Sequence, residues 1–175
     1  MIMKELYSLR GLDVFQKDLH QIILRGKDDQ KFKEIVNKEI SLSAPQKNLE
    51  ISQNKNFLMA KHSFDQWNLF YLDRKEHKEV IKMVSNFNSH EEILASDYSY
   101  GQVYFEISGD KKIYYLNKLT HFDFRIKKFP VLSMAQTLLA KIDCSIYHLN
   151  DKFIITCNSS LEEYFKERLL DAINL

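Results

Sequence analysis

Glycine is scarce in this sequence. Only four occur, at positions 11, 26, 101 and 109, and none of their spacings makes a G-x-G-x-x-G turn or a P-loop. Those are the devices that bring backbone N–H groups against a pyrophosphate, so a dinucleotide or nucleoside triphosphate held in that way is excluded. Cysteine is rarer still: Cys144 and Cys157 are too few for a four-ligand zinc site, and in the cytosol they are expected to remain thiols. The six histidines, at 20, 62, 77, 90, 121 and 148, never fall into H-E-x-x-H or H-x-H spacing. His90-Glu91-Glu92 lacks the second histidine of a helical zinc site, and all six read as surface or structural residues. A charge bias is missing too. Twenty-five Lys and Arg against twenty-four Asp and Glu leave +1 overall, so no nucleic-acid or anionic-membrane partner is attracted at long range. No run approaches the roughly eighteen apolar residues of a membrane span, and Met1-Ile2-Met3-Lys4-Glu5-Leu6 has no signal-peptide core. A cytoplasmic protein is expected.

What is present is enough to fold. The 175 residues are 45% hydrophobic, sufficient for one domain over 1–175 with approximate halves 1–90 and 91–175. The C-terminal stretch is the most legible. Thr137 to Ile142, Cys144 to Leu149 and Phe153 to Cys157 are β-branched and aromatic, and Asn150-Asp151 makes a two-residue hairpin turn between the last two. That turn sets Cys144 opposite Cys157, Ile146 opposite Ile155 and His148 opposite Phe153 on the inner face. Ser159 or Ser160 then offers an N-cap, with Glu162 or Glu163 three residues on. Leu161, Tyr164, Phe165, Leu169, Ala172 and Ile173 repeat at helical spacing.

Upstream, Val14 to Leu24 reads as one strand ending at Arg25-Gly26. Asp28 or Asp29 caps a helix with Phe32, Ile35, Val36 and Ile40 on one side. Ser41 to Lys55 is a connection with room for a short extended piece. Phe57 to Ala60 and Trp67 to Leu72 are strands around a His62-Ser63-Phe64-Asp65 turn. Asp73 with Glu76 makes a capping box for a helix buried through Val80, Ile81, Val84 and Phe87, and its first residues, Arg74 to Glu79, form a solvated charged face. Ile93 to Asp97 and Gln102 to Ile107 are strands, Ser108-Gly109 is a stop, and Asp110 opens a short helix with Ile113, Leu116 and Leu119 inward. Four helices are thus expected near 29–39, 74–86, 110–119 and 160–173. Strands come in adjacent runs, which argues for an α+β fold with antiparallel sheets.

Several of these stretches carry a resemblance. Ala135 to Ala140 (A-Q-T-L-L-A), a strand pair, and Ser159-Ser160-Leu161-Glu162-Glu163-Tyr164 opening the last helix look like the C-terminal half of the gamma subunit of heterotetrameric sarcosine oxidase. Asp97-Tyr98-Ser99, then Ser108-Gly109-Asp110, then His121-Phe122-Asp123-Phe124 resemble the D-x-S, S-G-x-D and D-L order of that family and of the glycine-cleavage T-protein. Phe64-Asp65-Gln66-Trp67 resembles the family's P-D-E-W element with the proline missing. The resemblance covers roughly Asn56 to Leu175.

It implies a T-protein-like, folate-binding-domain-like fold of two similar β-α-β subdomains with largely antiparallel sheets and exchanged strands. It also implies a non-catalytic small subunit of a flavin- and tetrahydrofolate-dependent oxidase that demethylates sarcosine or a related N-methyl amino acid. The chain itself would hold no cofactor; flavin, NAD and tetrahydrofolate would sit on a flavin-bearing subunit and a large folate-binding subunit. Its function would then reside in an apolar or aromatic surface, covered by those partners or by self-association when the chain is alone. The enzyme-class alternative is a stand-alone folate-binding aminomethyltransferase-like protein, and the third reading is an orphan scaffold of the same fold. The only folate-pocket candidates are Trp67, whose ring could stack a pterin beside Phe64, Phe70 and Tyr71, and Asp123, at the family's D-L position. For each there is a plainer role, core packing for Trp67 and turn capping for Asp123. The K-G-C-Y-x-G-Q signature of related folate-dependent iron-sulfur proteins is absent. Cys144 and Cys157 lie in apolar strands and read as small core residues rather than nucleophiles.

Overall fold

The computed structural model describes residues 3–73 and 75–175. In chain order the described residues form β1 (Met3–Leu9), β2 (Leu12–Lys17), β3 (Gln21–Gly26), α1 (Gln30–Ile40), β4 (Ile51–Gln53), β5 (Phe57–Lys61), β6 (Gln66–Tyr71) and α2 (His77–Asn88). There follow β7 (Ile93–Asp97), β8 (Gln102–Ser108), α3 (Lys112–Leu116), β9 (Ser133–Leu139), β10 (Ile142–Leu149), β11 (Lys152–Asn158) and α4 (Glu162–Asn174). The fold is α+β, and every strand pairing among the described residues is antiparallel. Two compact units share the chain: Leu19–Ser99 is one, and the segment through Asp18 joins Tyr100–Leu175 to make the other.

In the Leu19–Ser99 unit the sheet order is β4-β5-β6-β3-β7. The Asp29 carboxylate accepts the Phe32 N–H at 3.0 Å, which starts α1. Phe32, Ile35, Val36 and Ile40 are then buried against Ile22, Leu24, Trp67 and Leu69 of the strands, and the helix stops at Ser41, whose φ of 50° is left-handed. α2 begins later than the expected Asp73 cap. Glu76 is still extended, and the capping box is Glu76 with Glu79, whose carboxylate takes the Glu76 N–H at 3.1 Å. Val80 and Phe87 are buried as expected, but Ile81 is 54% exposed. It lies one residue, about 100° of helical turn, off the buried line; Val84 packs against the core as expected, and Met83 does so in place of Ile81.

The other unit has the sheet order β1-β2-β8-β11-β10-β9. Its first hairpin, β1–β2, turns at Arg10-Gly11, both at positive φ (54° and 81°), and β1 was not foreseen. The expected single strand from Val14 to Leu24 is two strands, β2 and β3, in different sheets, broken at Asp18–His20. β2 pairs with β8, Val14 opposite Ile107, so the chain's first strands complete a sheet built mostly from its last ones. Ser108-Gly109 is a stop for a steric reason. Gly109 has φ +99°, and a Cβ there would lie 2.4 Å from the Gly11 carbonyl oxygen. α3 is shorter than the Asp110 to Leu119 helix expected, with Tyr115 and Leu116 buried.

The expected Thr137 to Ile142 strand ends at Leu139, because Ala140 and Lys141 (φ 50° and 69°) form a two-residue turn that puts Leu139 opposite Ile142. In β10–β11 the expected register holds: Cys144 pairs with Cys157, Ile146 with Ile155 and His148 with Phe153. Neither Ser159 nor Ser160 caps α4. Asn158 Oδ1 takes the Ser160 N–H at 2.9 Å and starts a single 3₁₀ turn that leads into the helix. Phe165, Leu169 and Ile173 pack on the sheet, the Phe165 ring 4.9 Å from that of Phe105, whereas Leu161 and Tyr164 face solvent at 38% and 43% exposure.

Candidate functional site

Asp97-Tyr98-Ser99 closes β7 in a compact knot of polar groups within the Leu19–Ser99 unit. Asp97 Oδ1 accepts the Ser99 N–H at 3.0 Å and its hydroxyl at 2.6 Å, an aspartate turn at the strand end. Ser99 Oγ also takes the Gln21 N–H at 3.2 Å and lies 3.2 Å from His20 Nδ1. His20 Nε2 stands 3.0 Å from the Lys75 carbonyl oxygen, an acceptor, so that nitrogen carries a proton. His77 Nδ1 is 3.6 Å from Asp97 Oδ2. His20 and Ser99 are both buried.

Serine, histidine and aspartate are together here, but in the wrong order for a nucleophile. A catalytic triad places histidine between hydroxyl and carboxylate; here the hydroxyl lies between the ring and the carboxylate. The arrangement fixes the Asp97 carboxylate and ties the end of β7 to β3 and to the residues before α2. The sequence marks Asp97 as the end of a strand and joins it to Ser99 only through a resemblance. His20 and His77 read from the sequence as surface or structural residues, and a separation of 79 residues between His20 and Ser99 leaves no local signal.

A second buried polar cluster lies in the other unit. Glu106 Oε2 is 2.9 Å from both Lys17 Nζ and Lys152 Nζ. Burial works to raise its pKa, but the two ammonium groups outweigh it and hold the carboxyl below its ordinary range. Strand alternation brings these residues onto one sheet face, and their distance in sequence hid them.

Of the two folate-pocket candidates, Trp67 is fully enclosed. It stacks on Phe32 with centroids 4.1 Å apart, donates Nε1–H to the Pro45 carbonyl at 3.2 Å, and has Lys61 Nζ 5.2 Å from its ring centre. Phe70 and Tyr71 are buried as well, while Phe64 is 78% exposed. Asp123 belongs to the other unit. It accepts the Arg125 N–H at 3.0 Å and a forked pair of guanidinium bonds at 2.8 and 2.6 Å. That guanidinium, then the backbone N–H, lowers its pKa to about 2. Both cysteines are buried free thiols, and a side-chain hydrogen bond with Cys157, then burial, pushes the Cys144 pKa up. Among the described residues no group of three or more His, Cys, Asp and Glu could hold a metal ion, and no helix is long and apolar enough to cross a membrane.

The sarcosine oxidase gamma subunit family model matches residues 25–174. The chain belongs to that family. No curated protein sequence matches. The heterotetrameric sarcosine oxidase from Corynebacterium sp. U-96, in complex with pyrrole 2-carboxylate, superposes with a TM-score of 0.83 at 16% identity, covering 97% of this chain and 87% of that one. The glycine cleavage system aminomethyltransferase T from Bartonella henselae follows at 0.69 and 13% identity, over 91% of this chain and 45% of that chain. This chain therefore spans under half of the aminomethyltransferase. A weaker likeness, 0.51 at 10% identity over 94% and 99% of the two chains, is to the regulatory subunit of aspartate kinase from Thermus thermophilus. The fold is T-protein-like, as the resemblance implied. As a gamma subunit the chain is a component of a multi-subunit sarcosine oxidase.

Proposed function

We propose that this gamma subunit is the small, non-catalytic member of a heterotetramer that oxidatively demethylates sarcosine or a related N-methyl amino acid. Its partners are a flavin-bearing subunit and a large folate-binding subunit, which carry flavin, NAD and tetrahydrofolate. The single observation that carries the reading is the family match over residues 25–174; the likeness to a heterotetrameric sarcosine oxidase supports it. The site geometry agrees with a structural role. The serine, histidine and aspartate at the end of β7 are ordered as a tie, Trp67 has its faces taken by protein, and Asp123 is clamped by Arg125. We place the subunit in the cytoplasm, where two adjacent buried thiols persist unoxidised.

The likeness to aminomethyltransferase T favours a second reading, a stand-alone folate-binding protein. One experiment separates the two. The chain is expressed alone and with the flavin-bearing and large subunits, followed by gel filtration, visible absorption and sarcosine-dependent peroxide release. The subunit reading expects co-elution and turnover only in the assembled sample. Bound folate or turnover in the lone chain would favour the second reading, and failure to associate with all partners present would leave an orphan scaffold.

A further inference from the structure

A groove of about 580 Å³ opens beside α2 in the Leu19–Ser99 unit, a size usual for small-molecule sites. Phe57 and Tyr71, directly opposed on β5 and β6 with ring centroids 4.9 Å apart, line it together with Met83. Lys78 and Lys82 stand one helical turn apart on its α2 side, and Lys75 precedes the helix. Lys78 is held by Glu76 at 2.6 Å. The ammonium groups of Lys75 and Lys82 have no hydrogen-bond or ion-pair partner among the described residues, although both line the groove. The one lining carboxylate, Glu79, is occupied by the Glu76 N–H. Burial, then Glu79, pushes the Tyr71 phenol up to about 12, so it remains an O–H donor at any working pH.

The lining is therefore rich in donors and positive charge around an aromatic floor, and what complements it is an acceptor-only group on a flat apolar body. We propose that this groove binds a small organic anion of the aryl carboxylate class, a site on the subunit separate from its association with partners. The floor favours a small molecule over an acidic segment of another chain. Phe57 and Tyr71 are only 8% and 3% exposed, so little of either ring is open and a small group meets it more readily than a chain segment does.

The test follows the methyl NMR signal of Met83, assigned through Met83→Leu, while the full chain is titrated with indoleacetate and, separately, with its cationic counterpart tryptamine. A saturable shift with indoleacetate is expected, with tryptamine at least about tenfold weaker. The double variant Lys75→Glu/Lys82→Glu should lose at least about tenfold in indoleacetate affinity with an unchanged circular dichroism spectrum. Lys127→Glu/Lys128→Glu, the same charge change in the other unit, should leave the affinity as it was. No movement of Met83, equal response to both probes, or equal losses in the two double variants would each overturn the site. Protection of Met83 from indoleacetate by co-expressed partner subunits would also overturn it, in favour of a subunit contact.

Discussion

Cys144 faces Cys157 across β10 and β11. The two-residue turn at Asn150-Asp151 makes Leu149 and Lys152 a hydrogen-bonded pair, and alternation from there leaves the cysteines at a non-hydrogen-bonded position, with Cα atoms about 4.5 Å apart. Both side chains point into the core and are 4% and 1% exposed. Neither thiol should react with a disulfide reagent such as Ellman's in the native protein, and both should react once guanidinium unfolds it. Diamide, small enough to enter, should join them within one chain, read as a mass loss of about 2 Da that dithiothreitol restores. Rapid native labelling of either cysteine would show that the strand pair opens readily.

Gly109→Ala should be costly although it adds a single methyl. The position combines φ +99° with a backbone carbonyl 2.4 Å from where the new carbon would lie, so the turn after β8 must shift. A loss of about 1 to 3 kcal/mol is expected in urea unfolding. A neutral result would mean that the approach of Gly11 to Gly109 is not needed for the sheet.

Glu106 makes part of the stability depend on pH. Its carboxyl is held below the ordinary value of 4.5 by Lys17 and Lys152 against the effect of burial. The contribution is thus present in full above pH 4.5 and is lost as pH falls through the lower folded value. Glu106→Gln leaves the Lys17 ammonium buried without its carboxylate and should cost about 3 kcal/mol at pH 7. It should also flatten the acid limb of a stability-against-pH curve below 4.5 relative to wild type. An identical acid limb in the variant would show that other carboxylates set it.

Replacing Phe165 or Leu169 by alanine should cost about 2 to 5 kcal/mol in denaturant melts, the phenylalanine toward the upper end because its ring lies against Phe105. Tyr164→Ala, on the exposed side of the same helix, should change stability by less than about 1 kcal/mol. Similar losses for Tyr164 and Phe165 would mean that the helix face is misassigned.

Where a local rule governed, the sequence was readable. The hairpin at Asn150-Asp151 follows from turn length and period, and α1 from one capping aspartate and its buried stripe. The break between β2 and β3 was not readable. Asp18-Leu19-His20 contains no glycine or proline, and the buried positions Leu12, Val14, Ile22 and Leu24 keep the same parity across it. Nothing in a period of two reveals that the first pair belongs to one core and the second to another. β1 was missed because, of the described side chains in Lys4 to Leu9, none is fully buried, and edge strands carry little pattern. Candidate-site residues fared likewise. Asp97 and Ser99 stand two apart and could be quoted as a pair, whereas His20 and Lys17 meet their partners only through sheet pairing 79 and 89 residues away.

The order of synthesis gains a meaning from the pairing of β2 with β8. Leu19–Ser99 is continuous, so once it leaves the ribosome every strand of its sheet is available. The β1–β2 hairpin emerges earlier but must wait for β8, on the order of ten seconds at usual elongation rates, and a lone two-stranded hairpin is marginal in water. During that interval the inserted unit can mature while the flanking one exists only as a frayed hairpin with an unsatisfied edge. Nascent chains stalled between Ser99 and Asn158 should therefore be the most prone to pair strands with one another, and a chaperone that shields β2 should matter more to yield than one that acts on the finished chain.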